Sequence, residues 1–288
     1  MAKLDALPWA GGVALVSCGV RLGVRVDDAA ILDRLTPYLP PVCEAVMAPE
    51  VDHLFSICTR GDSAPGIGAG LYEGTRLLRR GRGLDLAMQL DLLRSRLEFR
   101  VATNSLSLIF VHAGVVEWRG RAIVLPGRSR SGKTTLVAAL LRAGARYYSD
   151  EFALFDAGGR VHPWARPLRI RTPGMLPQLH PVETLGERAE QRSLPVGLIV
   201  VTRHRRGSRW RPRAQTPGQA LLHLMRNTVV ARERPELAIG ILGRAVKRVR
   251  AIVSRRGEAD AVAGRLLWKA DAEHEMTHAS LNRPIGDT

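Results

Sequence analysis

The densest chemistry in the chain lies near its middle, where Gly127, Arg128, Ser129, Arg130, Ser131, Gly132, Lys133, Thr134 and Thr135 follow one another. A glycine, four residues and Gly-Lys-Thr form a phosphate-cradling pattern without a mismatch. Glycines let successive backbone N–H groups turn inward around phosphates, and a helix starting there adds the positive end of its dipole. Lys133 is the group that reaches β- and γ-phosphates, and the Thr134 hydroxyl is a magnesium ligand. Lys133 is also the only lysine between Lys3 and Lys247, in a chain that otherwise writes arginine. A compact ammonium in place of a planar guanidinium suits a phosphate. The competing structural reading is a glycine-bearing turn that merely caps a helix.

Asp150 and Glu151 follow Lys133 by 17 and 18 residues, one helix and one turn later. A magnesium–nucleotide site needs a carboxylate, and transfer to a hydroxyl needs a base. Otherwise the pair is an acidic strand end. His112 precedes Gly127 by 15 residues on an apolar stretch, so it either approaches the phosphates or is a hydrogen-bonded core histidine. Arg203–Arg213 holds six arginines around Trp210. Such a segment binds single-stranded nucleic acid or an acidic or phosphorylated peptide, or is a solvated loop. Arg255, Arg256, Lys247 and Arg248 read as solvated helix surface.

These residues need elements to hold them. Leu106–Trp118 and Arg121–Leu125 read as strands, with the glycine loop directly after the second and a helix at Leu136–Ala143 closed by Gly144. Arg146–Phe155 reads as one strand carrying the acidic pair, Val161–Trp164 as its return, and Val196–Thr202 as a further strand without Asp or Glu. Helices are expected at Gly218–Arg232 and Pro235–Val249. Earlier, Val13–Val26 alternates like a strand broken by glycines, Asp28–Leu39 looks helical, and His53–Thr59 looks extended. Gly61–Gly70 reads as a glycine-rich turn, and apolar residues from Leu84 to Thr103 recur at helical spacing. The change of character near residue 104 divides the chain into an α+β domain, 1–104, and a loop-bearing domain, 105–288.

Composition bounds the rest. The chain has 288 residues, 45% hydrophobic and 24% charged, which is ordinary globular usage and excludes a disordered or fibrous chain. Its longest apolar runs are too short to span a bilayer, and Met1–Val16 is a poor signal peptide, so a cytoplasmic location and no membrane partner are expected. Cys18, Cys43 and Cys58 are too scattered for a disulfide scaffold or structural zinc site. The net charge of +16 is uneven: residues 1–100 carry 12 basic and 12 acidic residues, so all of the excess lies beyond. That half is built to meet anions, or the arginines reflect codon usage.

His112-Ala113-Gly114-Val115, the glycine loop and Tyr148-Ser149-Asp150-Glu151 together resemble the catalytic domain of HPr kinase/phosphorylase, and more closely the HPr-kinase-related proteins near modified-peptide gene clusters. The resemblance covers roughly residues 106–172. It implies an α/β fold: an α+β N-terminal domain followed by a mixed-sheet kinase domain with a P-loop and a phosphoenolpyruvate-carboxykinase-like core. It also implies ATP or GTP and Mg2+ as cofactors, nucleotide bound by residues 127–135, and metal at Thr134, Asp150 and Glu151. Asp150 becomes the base facing a substrate serine, with Lys133 and the family histidine, His112, in the catalytic set. The sequence departs from the pattern at Arg130, where a glycine is usual, and at the Asp-Glu pair. The family's Glu-x-Arg-Gly element is matched only by Arg169-Ile170-Arg171-Thr172. A second metal site and reverse phosphorylase activity are therefore not carried over, and Arg171 is left as an anion or substrate contact.

The sequence reading is thus a kinase acting on a hydroxyl of a peptide or small protein, in a chain able to self-associate, with nucleic acid not expected as partner. The alternative is a nucleotide-switched NTPase presenting its basic segment to an acidic partner or nucleic acid.

Overall fold

The computed structural model describes residues 2–47, 50–59, 68–80, 86–127, 131–170 and 178–281. The chain divides into two compact units, Met1–Ser107 and Leu108–Thr288.

The first unit opens with α1 (Ala2–Asp5), then β1 (Gly11–Ser17) and β2 (Val20–Val26), joined by Cys18 and Gly19 at φ +48° and +81°. Two residues in the left-handed region make the tight turn whose twist matches a hairpin. The helical stretch expected over Asp28–Leu39 is fragmented: α2 (Leu32–Leu35) lies between two 3-10 turns, and Pro37 and Pro40 prevent a longer run. β3 (Glu44–Ala45), β4 (His53–Cys58), β5 (Gly70–Glu73) and β6 (Arg76–Arg80) complete a sheet ordered β3-β1-β2-β4-β5-β6. Most of the expected Gly61–Gly70 turn lies outside the described residues. α3 (Leu86–Asn104) buries Leu90, Leu93, Leu97 and Val101, a stripe at helical spacing, against β2, β4 and β5.

The second unit is built on β7 (Ile109–Trp118), β8 (Arg121–Pro126), α4 (Lys133–Arg142), β9 (Arg146–Ser149), β10 (Phe152–Phe155) and β11 (Val161–His162). β12 (Leu168–Ile170) pairs with β13 (Gln178–His180). Then come β14 (Val196–His204), β15 (Arg213–Gln215), α5 (Pro217–Met225), α6 (Pro235–Val246), β16 (Arg250–Arg256) and α7 (Asp260–Leu281). The main sheet runs β11-β10-β7-β8-β14-β16-β15, with β9 also on β7. β8, β14 and β16 are parallel neighbours and the other pairings are antiparallel. The class is therefore mixed α/β.

Alternation along the central strands sorts the core onto two faces. Ile123, Leu125, Leu198, Val200 and Ile252 meet Leu136, Val137 and Leu140 of α4 and Val262 and Leu266 of α7. Ala122, Val124, Ile199 and Ala251 instead meet Leu224 of α5 and Ile241 and Leu242 of α6. Strands buried on both faces read as continuous apolar runs, as Ala122–Leu125 does. Arg255 and Arg256, expected on helix surface, instead end a strand in the interior of the sheet. Among the described residues no helix is long and apolar enough to cross a membrane.

Candidate functional site

The site is assembled at the carboxyl end of the parallel strands, where open α/β sheets offer a crevice. β8 delivers Gly127, whose N–H donates to the His112 carbonyl on β7 at 3.1 Å. Arg128, Ser129 and Arg130 lie outside the described residues. The chain re-enters at Ser131 and Gly132, and Gly132 takes φ +89°, ψ +17° as the residue capping the start of α4. A side chain there would be strained, and an added Cβ would fall 2.7 Å from Arg256 Nη2. Gly127 is tight for another reason: an added Cβ would meet Ser131 Oγ at 2.8 Å.

Lys133 and Thr134 open α4, so their side chains and the helix's free N–H groups share one end. Lys133 Nζ donates to the Gly127 carbonyl at 2.7 Å, folding back across the loop. Burial lowers its pKa, while Asp150 and Glu151 oppose that effect. Thr134 Oγ1 donates to Asp150 Oδ2 at 2.7 Å. Thr135 is exposed on the same turn.

The acidic pair interrupts what reads in sequence as one strand. Ser149 of β9 faces Val115 and Phe152 of β10 faces His112, so Asp150 and Glu151 fall between two ladders on the same neighbour. Glu151 is exposed, its carbonyl accepting from Ala113 N–H at 3.2 Å. Asp150 turns inward. Its Oδ1 is sealed from solvent without a hydrogen-bond partner among the described residues. Burial pushes its pKa up to about 7, against the lowering effects of the Thr134 hydrogen bond and the Lys133 charge. Gly114 makes this possible: an added Cβ would strike Val137 of α4 at 2.7 Å and lie 3.7 Å from Asp150 Oδ1.

His112 is half-buried beside this cluster, its ring 4.6 Å from that of Phe152. Burial lowers its pKa and Lys133 adds to the effect, while Glu151 opposes it. Arg171 lies outside the described residues.

Sequence reasoning missed one residue. Arg256, expected on solvated helix surface, ends β16 and is 1% exposed. Its Nη2 donates to the Gly132 carbonyl at 2.7 Å and its Nη1 to the Gly257 carbonyl at 3.0 Å. The signal was present: Val249, Ile252 and Val253 are β-branched residues shortly before three polar residues and a glycine, as at a strand end.

No protein-family model matches the chain, and no curated protein matches it. Among solved structures it is similar to the Hpr(Ser) kinase/phosphatase from Coxiella burnetii. That match has 13% identity and a TM-score of 0.31, and covers 58% of this chain and 98% of that one. A likeness at that score carries no chemical argument.

Proposed function

We propose that the chain is a kinase that transfers the γ-phosphoryl group of ATP, or GTP, to a hydroxyl, in the first instance a serine, of a peptide or small protein. The observation that carries this reading is the Thr134–Asp150 contact. It joins the helix end proposed to receive phosphates to a carboxylate whose second oxygen is buried and, among the described residues, unpartnered. A base near neutrality, next to a phosphate-binding helix end, is the equipment for accepting a hydroxyl proton at pH 7.

The residues divide the work. The N–H groups at Gly132 and the start of α4, with Lys133, hold the β- and γ-phosphates and stabilise the charge that spreads over the transferred group. Asp150 orients the attacking hydroxyl and takes its proton at Oδ1. His112 contributes a neutral hydrogen bond beside the loop. Among the described residues no group of three or more His, Cys, Asp or Glu gathers to hold a metal. A nucleotide-borne Mg2+ needs fewer, because phosphate and water oxygens complete its shell. The hard oxygens of Thr134 and Asp150 fit that ion, with exposed Glu151 beside them, and when bound it neutralises phosphate charge.

The test is incubation with γ-labelled ATP, magnesium and serine peptides, with Asp150→Asn in parallel. Acid-stable label on the peptide, lost in the variant while nucleotide still binds, is the expected result. Release of inorganic phosphate alone, unaffected by the substitution, overturns the kinase in favour of a nucleotide-switched hydrolase.

A further inference from the structure

The most basic segment of the chain has no part in the chemistry above, and its geometry is specific. Arg203 at the end of β14, Arg255 at the end of β16, Arg209 and Arg211 on the connection between strands and Arg213 on β15 line one cleft of about 480 Å3. Among the described residues no carboxylate lines it. Among the described residues, none of these five guanidiniums has an acidic partner. Surface arginines elsewhere do: Arg21 holds Asp52, Arg142 holds Asp260 and Arg188 holds Glu183. Five like charges brought together repel one another, and no described residue of the cleft carries a charge to offset this.

The cleft reaches the same carboxyl edge of the sheet as the candidate site but lies on the α5/α6 face with Val201 and Ala251, whereas Gly132, Arg256 and α4 lie on the other face. A smaller recess lined by Arg203, His204, Arg205 and Arg255 shares two of the arginines. His204 abuts the glycine loop, its Cβ lying 3.4 Å from where a Cβ on Gly132 would stand. In the β14–β16 register His204 faces Arg256, which grips the Gly132 carbonyl. A chain lying in the cleft reaches the site by passing over the carboxyl edge of the sheet, where the recess at Arg203 and His204 borders Gly132.

We infer that this cleft docks an acidic segment of the peptide acceptor and brings its hydroxyl toward Asp150. This rests on the kinase reading. Two features favour a peptide over single-stranded nucleic acid. Trp210, the aromatic that could stack on a base, does not line this cleft: it is half-buried, packs on the α4–α7 core and faces a neighbouring recess that also holds Glu258. The floor between the guanidiniums includes half-buried Val201 and Val253, which suit apolar side chains interspersed with carboxylates. Arginine forks then pair bidentately with Asp and Glu along the walls.

The experiment uses the full chain and fluorescence anisotropy with three labelled probes. These are a peptide of alternating Glu and Val around one Ser, its counterpart with glutamine for glutamate, and an oligothymidylate. The acidic peptide is expected to bind, the glutamine peptide not to bind, and added salt to weaken binding steeply. Arg209→Ala/Arg211→Ala/Arg213→Ala should weaken the acidic peptide by about tenfold, through the loss of three partly screened ion pairs. The triple lysine variant at those positions retains the charge and should retain most of the binding, which separates loss of contacts from loss of fold. In the transfer assay the alanine variant should raise KM for the acidic peptide and leave kcat near its parent value. Equal binding by the alanine variant, or no binding of the acidic peptide, overturns the inference. Tighter binding of the oligothymidylate overturns it in favour of nucleic acid. Peptide binding without transfer sinks the kinase reading alone, and transfer indifferent to these arginines sinks the docking cleft alone.

Discussion

Asp150 sits where two opposed demands meet. Ionised, it attracts Lys133 and accepts from Thr134, yet its Oδ1 has been taken out of water with no replacement partner among the described residues, and burial is the larger effect. The sign of the consequence follows from the direction of the shift. A carboxyl raised from its ordinary 3.8 to about 7 is protonated in the folded nucleotide-free chain and ionised in the unfolded one between those values. Its contribution to stability is present at low pH and lost as the pH rises through 7. Asp150→Asn removes that loss. Thermal unfolding at pH 8.5 should show the variant more stable by roughly 5 °C, the gap shrinking as the pH falls toward 4. Catalysis runs the other way, since the base must be ionised. The acid limb of kcat/KM should lie near pH 7, and Asp150→Asn should lower transfer by about 10²–10⁴-fold with nucleotide affinity nearly intact. Lys133→Ala, in contrast, should lose nucleotide affinity and transfer together, as titration calorimetry with ATP would show.

Positioning belongs to whole elements. α4 can aim its first turn at phosphates because the residue before it adopts a left-handed backbone and because a neighbouring strand holds that residue's carbonyl. Arg256 is costly to bury, which its lowered pKa reflects, and the Gly132 and Gly257 carbonyls offset part of that cost. Arg256→Ala leaves the Gly132 carbonyl without this donor and should destabilise the chain by about 1–3 kcal/mol. Chemical denaturation would measure it, and KM for nucleotide should rise more than kcat falls. Gly132→Ala adds a left-handed penalty of about 1–2 kcal/mol to the close approach of Arg256 and should weaken nucleotide binding further. Gly114→Ala acts from the opposite side, driving Val137 and α4 away from β7 and loosening the Thr134–Asp150 contact. A lowered thermal midpoint together with a fallen transfer rate would show it. A fallen midpoint alone would place Gly114 in packing only.

On the scale of the molecule, the net charge of +16 falls entirely beyond residue 100, in the part that carries the glycine loop and the arginine cleft. Excess charge of one sign attracts anionic ligands and opposes compaction through self-repulsion. Raising monovalent salt from about 20 to about 200 mM screens that repulsion and should lift the thermal midpoint by a few degrees, while weakening capture of the acidic peptide. A midpoint indifferent to salt would mean that the arginines are already neutralised by pairing within the fold.

Local order was readable wherever a short-range rule governs it. The stripe of Leu90, Leu93, Leu97 and Val101 marks a helix, and the apolar run Ala122–Leu125 followed by glycines and Lys133 marks a strand, a loop and a helix start. The types and spacing of Lys133, Thr134 and Asp150 singled them out because the phosphate-cradling pattern they match restricts which side chains can stand in it. Three things were decided only by the tertiary structure. The stretch Arg146–Phe155 divides at Asp150 and Glu151, because a carboxylate turned toward Thr134 leaves the ladder that its neighbours keep with β7. Arg256 passes from expected surface to interior because a parallel strand places it beside Gly132, 124 residues away in sequence. The scattered arginines become one cleft because β14, β15 and β16 are adjacent in the sheet. Each depends on which strands pair at long range, and sequence periodicity records only which face of a strand is buried, not which neighbour lies across it.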